Sequence, residues 1–257
     1  MNKIQIIYPY NEDNRIVYEL EEEARLMASK GFIVNSTIQE NADILIYRGK
    51  KILNESMCIK HPKIIQGWEA IRKTSNMHEY YPVISDHSIP TFFLDDLKEI
   101  ELQKIIKENK WDKVFIKSPS RSLFFIDDLA SVWPFTPLEE IKENFNKRNL
   151  TGPYAIRKYI DEIEIFYNEQ RYWILNGHAY HPSGIIPDFV SKTGREMFEF
   201  SGSHYFTIDV AGEYIVEINP GESSDRGGDN PISFFCEIFE TEFLNNNNLF
   251  LKNINFS

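Results

Sequence analysis

Three oxygen-bearing side chains, Asp209, Glu217 and Asn219, interrupt the otherwise apolar stretch Phe206–Pro220. The stretch reads as two strands joined at Ala211-Gly212-Glu213. A carboxylate buried in such strands costs several kcal/mol unless a positive group meets it. With a three-residue loop centred on Gly212, Asp209 faces Ile215, and Glu217 and Asn219 follow on the same face at period two. A two-residue loop would turn Asp209 to the opposite face. Two carboxylates and an amide oxygen on one face are hard ligands suited to Mg2+, which takes few protein oxygens and otherwise holds phosphate. An exposed hairpin with solvated acids is the plainer alternative. Against it stand Ile208, Val210, Ile215, Val216 and Ile218, which leave little room for a wet strand.

Cations at other strand ends could meet a phosphate. Lys117 closes the apolar run Val114–Lys117 and precedes Ser118-Pro119-Ser120-Arg121-Ser122. It can act there as a point charge, helped by hydroxyls and amides. A strand-end lysine snorkelling to water fits the same residues. Arg157 lies in Ala155–Ile160, ahead of Asp161-Glu162-Ile163-Glu164. Its fork can bond two oxygens at once. The backbone at Tyr159 and Ile160 could face an adenine edge, with a carboxylate beyond for the ribose hydroxyls. A structural ion pair of Arg157 with Glu162 or Glu164 is the competing reading. Glu169 and Arg171 stand two apart on one strand face, where a surface salt bridge is the default. The loop Asn219–Gly228 is rich in donors and glycine, so Arg226 could clamp a substrate carboxylate, unless the segment is a simple turn. Arg48 is a second candidate for the acceptor side. His178, His181 and His204 show no metal-ligand spacing with cysteines, and no Ser–His or Cys–His pair suggests a nucleophile. No Walker A, G-x-G-x-x-G or kinase motif is present.

The elements that must carry these groups alternate. Ile4–Tyr8 reads as a strand, Asn11–Lys30 as a helix ending at Gly31, and Phe32–Val34, Ile44–Tyr47 and Lys63–Ile65 as strands. A helix through Trp68–His78 and a strand at Pro82–Ile84 complete a first region, which favours a helix-covered parallel sheet. The first boundary is expected near residue 88. Ile89–Phe93 restarts as a strand, followed by a helix over Asp95–Glu108, strands at Val114–Lys117 and Ser122–Ile126, and a helix from Thr136/Pro137 to Phe145. Tyr154–Ile160, Arg171–Leu175 and His178–His181 are strands, Ser183–Arg195 a polar loop, and Pro231–Phe243 a closing helix. The tail Asn245–Asn248 is of low complexity.

At 257 residues the chain can bury one large core or two modest ones, and 14% aromatic content argues for packed structure. No run approaches the roughly 18 apolar residues of a membrane span. Cys58 and Cys236 form no disulfide framework, which suits a reducing cytoplasm. A net charge of −11 opposes non-specific nucleic-acid binding while leaving room for a single nucleotide.

In order and spacing, Lys117, the strand-plus-acid segment Arg157–Glu164, Glu169-x-Arg171, Asp209 and Glu217-x-Asn219 resemble the ATP-grasp superfamily over about residues 90–240. The chain is most similar to a bacterial and phage clade with an extra arginine in the nucleotide site, where Arg157 fits. The resemblance implies an α/β (α+β) fold: a small N-terminal α/β domain (1–88), then an ATP-grasp domain (89–257). The latter has a nucleotide-covering lobe (89–165) and a metal-binding lobe (166–257), with ATP between two antiparallel sheets. It further implies that Lys117 and Arg157 hold ATP phosphates, Tyr159 and Ile160 bind adenine, and Glu162 or a neighbour takes the ribose. Glu169 belongs to the same nucleotide site, Asp209, Glu217 and Asn219 hold Mg2+, and Arg171 stabilises the transferring phosphoryl group. The loop after Lys117 departs from the family in lacking the glycines that commonly cover the phosphates. The implied activity is ligation of a small-molecule or peptide carboxylate to an amine through an acylphosphate. A small-molecule kinase or a non-catalytic ATP sensor shares the same parts, and a homodimer is compatible with them.

Overall fold

The computed structural model describes residues 3–10, 16–49, 55–61, 63–118, 131–160, 169–224 and 230–245, without the side chain of Ile59. The chain divides into two compact units. One comprises Met1–Thr74, Gln170–Asp209 and Glu217–Ser257; the other comprises Ser75–Glu169 and Val210–Val216.

The first unit contains a three-stranded parallel sheet with β1 (Ile4–Ile7) between β2 (Ile33–Asn35) and β3 (Ile44–Tyr47). All residues of β1 and β3 are buried, as expected of parallel strands covered on both faces. Helix α1 (Tyr18–Ser29) returns between β1 and β2 and buries Ala24 and Met27. The short α2 (Glu55–Lys60) and α3 (Trp68–Ser75) follow β3. Lys63–Ile65, expected as a strand, makes a single parallel bridge, Leu45 with Ile64.

In the second unit, β4 (Thr91–Leu94), β5 (Val114–Lys117), β6 (Val132–Trp133) and β7 (Tyr154–Lys158) form an antiparallel sheet in the order β4-β7-β5-β6. Val114, Ile116 and Ile156 recur at period two and pack in one cluster with residues of α5 (Glu99–Asn109) and α6 (Leu138–Lys147), chiefly Leu102, Ile105, Ile141 and Phe145. The expected strand Ser122–Ile126 lies outside the described residues.

A second four-stranded sheet runs β11-β10-β8-β9, from β8 (Glu169–Leu175), β9 (His178–Tyr180), β10 (Tyr205–Ala211) and β11 (Tyr214–Pro220). Ile4, Ile6 and Tyr8 share one core with Trp173, Tyr205, Phe235, Phe239 and Phe243. That shared core is why the compact division does not follow the boundary expected near residue 88: apolar burial, not chain order, groups the first strands with the last sheet.

Three local expectations are corrected. The helix expected over Trp68–His78 is broken at Asn76, whose side chain accepts the His78 N–H at 3.2 Å and starts α4 (Met77–Ile84). Pro82–Ile84 is therefore helical, with Met77, Tyr80 and Ile84 buried at helical spacing. The polar loop expected over Ser183–Arg195 holds most of a helix, α7 (Asp188–Ser201). Its buried side is built partly from Thr193 and Gly194, so its apolar stripe is muted in the sequence. A Cβ on Gly194 would stand 3.2 Å from Ile174 Cδ1, which is why a small residue occupies that contact. The closing helix α8 (Ile232–Phe239) runs into a π-helical turn, Glu240–Asn245.

Candidate active site

The turn that joins β10 to β11 has two residues, Gly212 and Glu213, not three. Gly212, at φ +60°, takes the first central position, where type II′ turns place glycine. With Ala211 opposite Tyr214, an unbroken ladder would put Asp209 opposite Val216 and on the other face from Glu217 and Asn219. Yet Asn219 Nδ2 donates to Asp209 Oδ2 at 2.9 Å, and the Gly221 N–H donates to the Tyr205 carbonyl at 3.2 Å. That last bond belongs to a pairing shifted by one residue along β11, so the ladder takes up an extra residue, as a β-bulge does. The burial phase of β11 changes accordingly: Tyr214 is exposed and Val216 half-buried, then Ile218 and Pro220 are buried while Glu217 and Asn219 are half-buried. The expected three-residue turn is thus replaced by a tight turn plus a register shift, which still brings Asp209 and Asn219 together.

Asp209 is 2% exposed, and its burial is compensated from the neighbouring strand β8. Arg171 Nε donates to Oδ1 and Arg171 Nη2 to Oδ2, both at 2.7 Å. This two-pronged, charge-assisted geometry is the strongest common form of a carboxylate pair. Glu169, two residues before Arg171, is exposed at the start of β8. Asp209, Glu217 and Asn219 lie in the first unit with Arg171. As a donor set, two carboxylates and an amide match the hard-oxygen preference of Mg2+, and Asp209 already sits against a cation.

The second unit carries the cationic residues. Pairing sets Lys117 opposite Ala155, and Arg157 opposite both Phe115 and Thr91. Since residues two apart share a face, Lys117 and Arg157 project from the same side of the sheet, away from the Val114–Ile116–Ile156 core side. Both are 4% exposed. Arg157 Nη1 donates to the Val216 carbonyl at 2.8 Å, Nε to Thr91 Oγ1 at 3.2 Å and Nη2 to Ser88 Oγ at 3.4 Å. Ser88 Oγ in turn donates to the Ile215 carbonyl at 3.2 Å, so the hairpin tip and Arg157 are tied together. Tyr159 and Ile160 follow β7 half-buried. The Tyr159 N–H donates to the Lys113 carbonyl at 3.4 Å, and the Lys113 ammonium lies 4.0 Å from the centre of the Tyr159 ring. Glu162, Glu164, Arg121 and Arg226 lie outside the described residues.

Arg48 corrects another expectation. It is 3% exposed and pairs with Glu23, itself 0% exposed, through Nε–Oε1 at 2.9 Å and Nη2–Oε2 at 3.2 Å. Its Nη1 donates to the Ser224 carbonyl, and Tyr8 Oη donates to Glu23 Oε1 at 3.0 Å. The guanidinium stacks 5.0 Å from the Phe235 ring centre and 5.6 Å from that of Trp173. Arg48 is a core cation, engaged on every side, and does not offer itself to a substrate. Sequence reading missed its partner. The signal was there: Glu23 falls three residues after Leu20 and four before Met27, on the apolar face of α1.

Glu222 was also missed. Three residues past Asn219, it is 1% exposed, and its Oε1 has no hydrogen-bond partner among the described residues. Burial pushes its carboxyl up to about 7, against the opposing pull of its own backbone amide and of Arg48.

No family model and no curated protein matches the sequence. Solved structures do match in fold. A RiPP-associated ATP-grasp ligase from Chryseobacterium gregarium, solved with ADP and a leader and core peptide, superposes with TM-score 0.60 at 14% identity, over 93% of this chain and 96% of its own. The RimK domain protein ATP-grasp of Sphaerobacter thermophilus gives TM-score 0.60 at 11% identity, over 94% and 99%. The ATP-grasp ligase PsnB with a minimal precursor, Mg and ADP gives TM-score 0.56 at 9% identity, over 93% and 96%. A shared architecture over nearly the whole length of each partner, with an Arg171–Asp209–Asn219 cluster on the strands where the sequence motifs fall, identifies the fold of this chain as ATP-grasp.

Proposed function

We propose that the chain is an ATP- and Mg2+-dependent carboxylate–amine ligase. The observation that carries this reading is the hydrogen-bonded cluster of buried Asp209 with Arg171 and Asn219, set on an ATP-grasp fold. Lys117 and Arg157, on one face of their sheet, would bind ATP phosphates. The Tyr159–Ile160 backbone would meet adenine, and Glu162 with Glu169 would complete the nucleotide site. Asp209, Glu217 and Asn219 would hold Mg2+, which when bound neutralises charge on phosphate oxygens. Arg171, whose guanidinium already points at the cluster, would stabilise the γ-phosphoryl group as its charge redistributes.

The reaction balances without a protein nucleophile. A substrate carboxylate oxygen forms a bond to the γ-phosphorus while the bond to the ADP oxygen breaks, giving an acylphosphate and ADP. An amine then attacks the acyl carbon, phosphate leaves and the amine loses a proton, giving an amide. The neighbour from Chryseobacterium gregarium was solved with a leader and core peptide and PsnB with a minimal precursor, which makes a peptide carboxylate and amine the first class to try. Arg226 would bind a carboxylate of the acceptor.

The test is ADP release with Mg2+ across pairs of carboxylate and amine substrates, followed by mass analysis of the product. Asp209→Asn and Glu217→Gln should each lower turnover on the order of a hundredfold or more while circular dichroism stays native. Undiminished turnover would remove both from the metal site. ADP release that needs the carboxylate alone and leaves a stable phosphorylated product would mark the protein as a kinase.

A further inference from the structure

Asp209 meets a full positive charge from the neighbouring strand β8. Both of its oxygens are taken at 2.7 Å by Arg171, and Oδ2 also accepts from the Asn219 amide at 2.9 Å. Arg171 is 19% exposed by its side chain and Asp209 3%, so water screens the pair poorly. A divalent ion arriving at Asp209 would stand within a few ångströms of that guanidinium, where like charges repel strongly in a partly dry site. Asn219 would also have to turn its amide over, from Nδ2 towards Asp209 to Oδ1 towards the metal. Asp209, Glu217 and Arg171 together carry one net negative charge, so a divalent ion added alone leaves a surplus of positive charge.

We propose that Arg171 is the resident counter-ion of Asp209, so that divalent metal enters only together with a polyphosphate that draws the guanidinium away. Arg171 is here a positioning residue that sets the order of loading, in addition to the role given to it above. The inference rests on the assignment of Asp209 and Asn219 as metal ligands. A cation arrives on the cluster with the anion that compensates Arg171, so no unpaired charge is left buried at any stage. The same coupling works in reverse: a polyphosphate binds more tightly when metal is present, by the same factor.

Mn2+ binding to the full chain, followed by electron paramagnetic resonance of the free ion, tests this without reference to turnover. The wild-type protein should bind Mn2+ weakly alone and tightly with a non-hydrolysable ATP analogue. Arg171→Gln should bind Mn2+ without nucleotide at least about tenfold more tightly than wild type, and gain less from the analogue. Arg171→Lys keeps the charge and should stay close to wild type, which guards against a result caused by loss of fold in Arg171→Gln. Thermal melts of both variants accompany the titrations. Wild-type protein that binds Mn2+ equally with and without the analogue would overturn the proposal, as would a folded Arg171→Gln with unchanged affinity. Asp209→Asn reports separately on the underlying assignment: if it binds Mn2+ with the analogue as wild type does, the metal reading fails, whatever Arg171 does.

Discussion

Glu222→Gln should change how stability depends on pH, and the size of the effect follows from burial. The Glu222 side chain is 1% exposed with Oε1 unpartnered among the described residues, so ionising it leaves a charge poorly solvated. Its carboxyl is pushed from an ordinary 4.5 up to about 7. A folded value above the unfolded one means the folded state holds the proton more tightly. The stabilisation from that proton is complete below about 4.5 and is lost as pH rises through about 7. At about 1.4 kcal/mol per pH unit, the loss amounts to roughly 3 kcal/mol by about pH 9. Glutamine cannot ionise and should escape it. The assay is urea unfolding of both proteins from about pH 4 to about pH 9, followed by fluorescence, with Trp173 of the same unit buried as a reporter. The quantity to follow is the stability difference between the two proteins, because His204 titrates in both and cancels. Burial holds that imidazole down at about 4, so its own contribution is lost only towards acid pH. The difference should move in favour of the variant by roughly 3 kcal/mol across the range. A difference constant to within about 0.5 kcal/mol would show that Glu222 is ionised at little cost, and the argument from burial would be refuted.

Two further substitutions probe the first unit. Arg48→Met strips Glu23 of its fork and leaves a fully buried carboxylate with the Tyr8 hydroxyl, so unfolding free energy should fall by about 3–5 kcal/mol. The double variant with Glu23→Met should recover much of that loss, and a single variant as stable as wild type in urea would contradict the buried pair. At Gly221 an added Cβ would stand 2.5 Å from the Tyr205 ring, which is fully buried; Gly221→Ala should therefore cost about 1–3 kcal/mol in thermal or urea melts, and a neutral result would mean the loop can move aside.

Much of the secondary structure was legible because it depends on short-range periodicity. The apolar Val114–Lys117 run, the greasy Ile4–Ile7 and Ile44–Tyr47 strands and the amphipathic helix that became α1 all announce themselves within a few residues. Reading failed where small or special residues carried the signal. Thr193 and Gly194 supply part of the buried side of α7 without looking apolar, and the Asn76 cap divides one helical pattern into two elements. The turn at Gly212 was placed correctly in the chain but given one residue too many, because a bulge further along the ladder leaves no mark in composition.

What the sequence determined by itself was which charged groups sit within apolar strands: Asp209, Glu217, Lys117 and Arg157 are set there by local pattern alone. What only the tertiary structure decided was which charge answers which. Asp209 is met by Arg171 from 38 residues away, and Arg48 by Glu23 from 25. Periodicity fixes the face on which a side chain emerges, but a buried charge must be neutralised by whatever the fold brings within a few ångströms. That partner is chosen by strand order and register, which are properties of the packed sheets and not of any one segment.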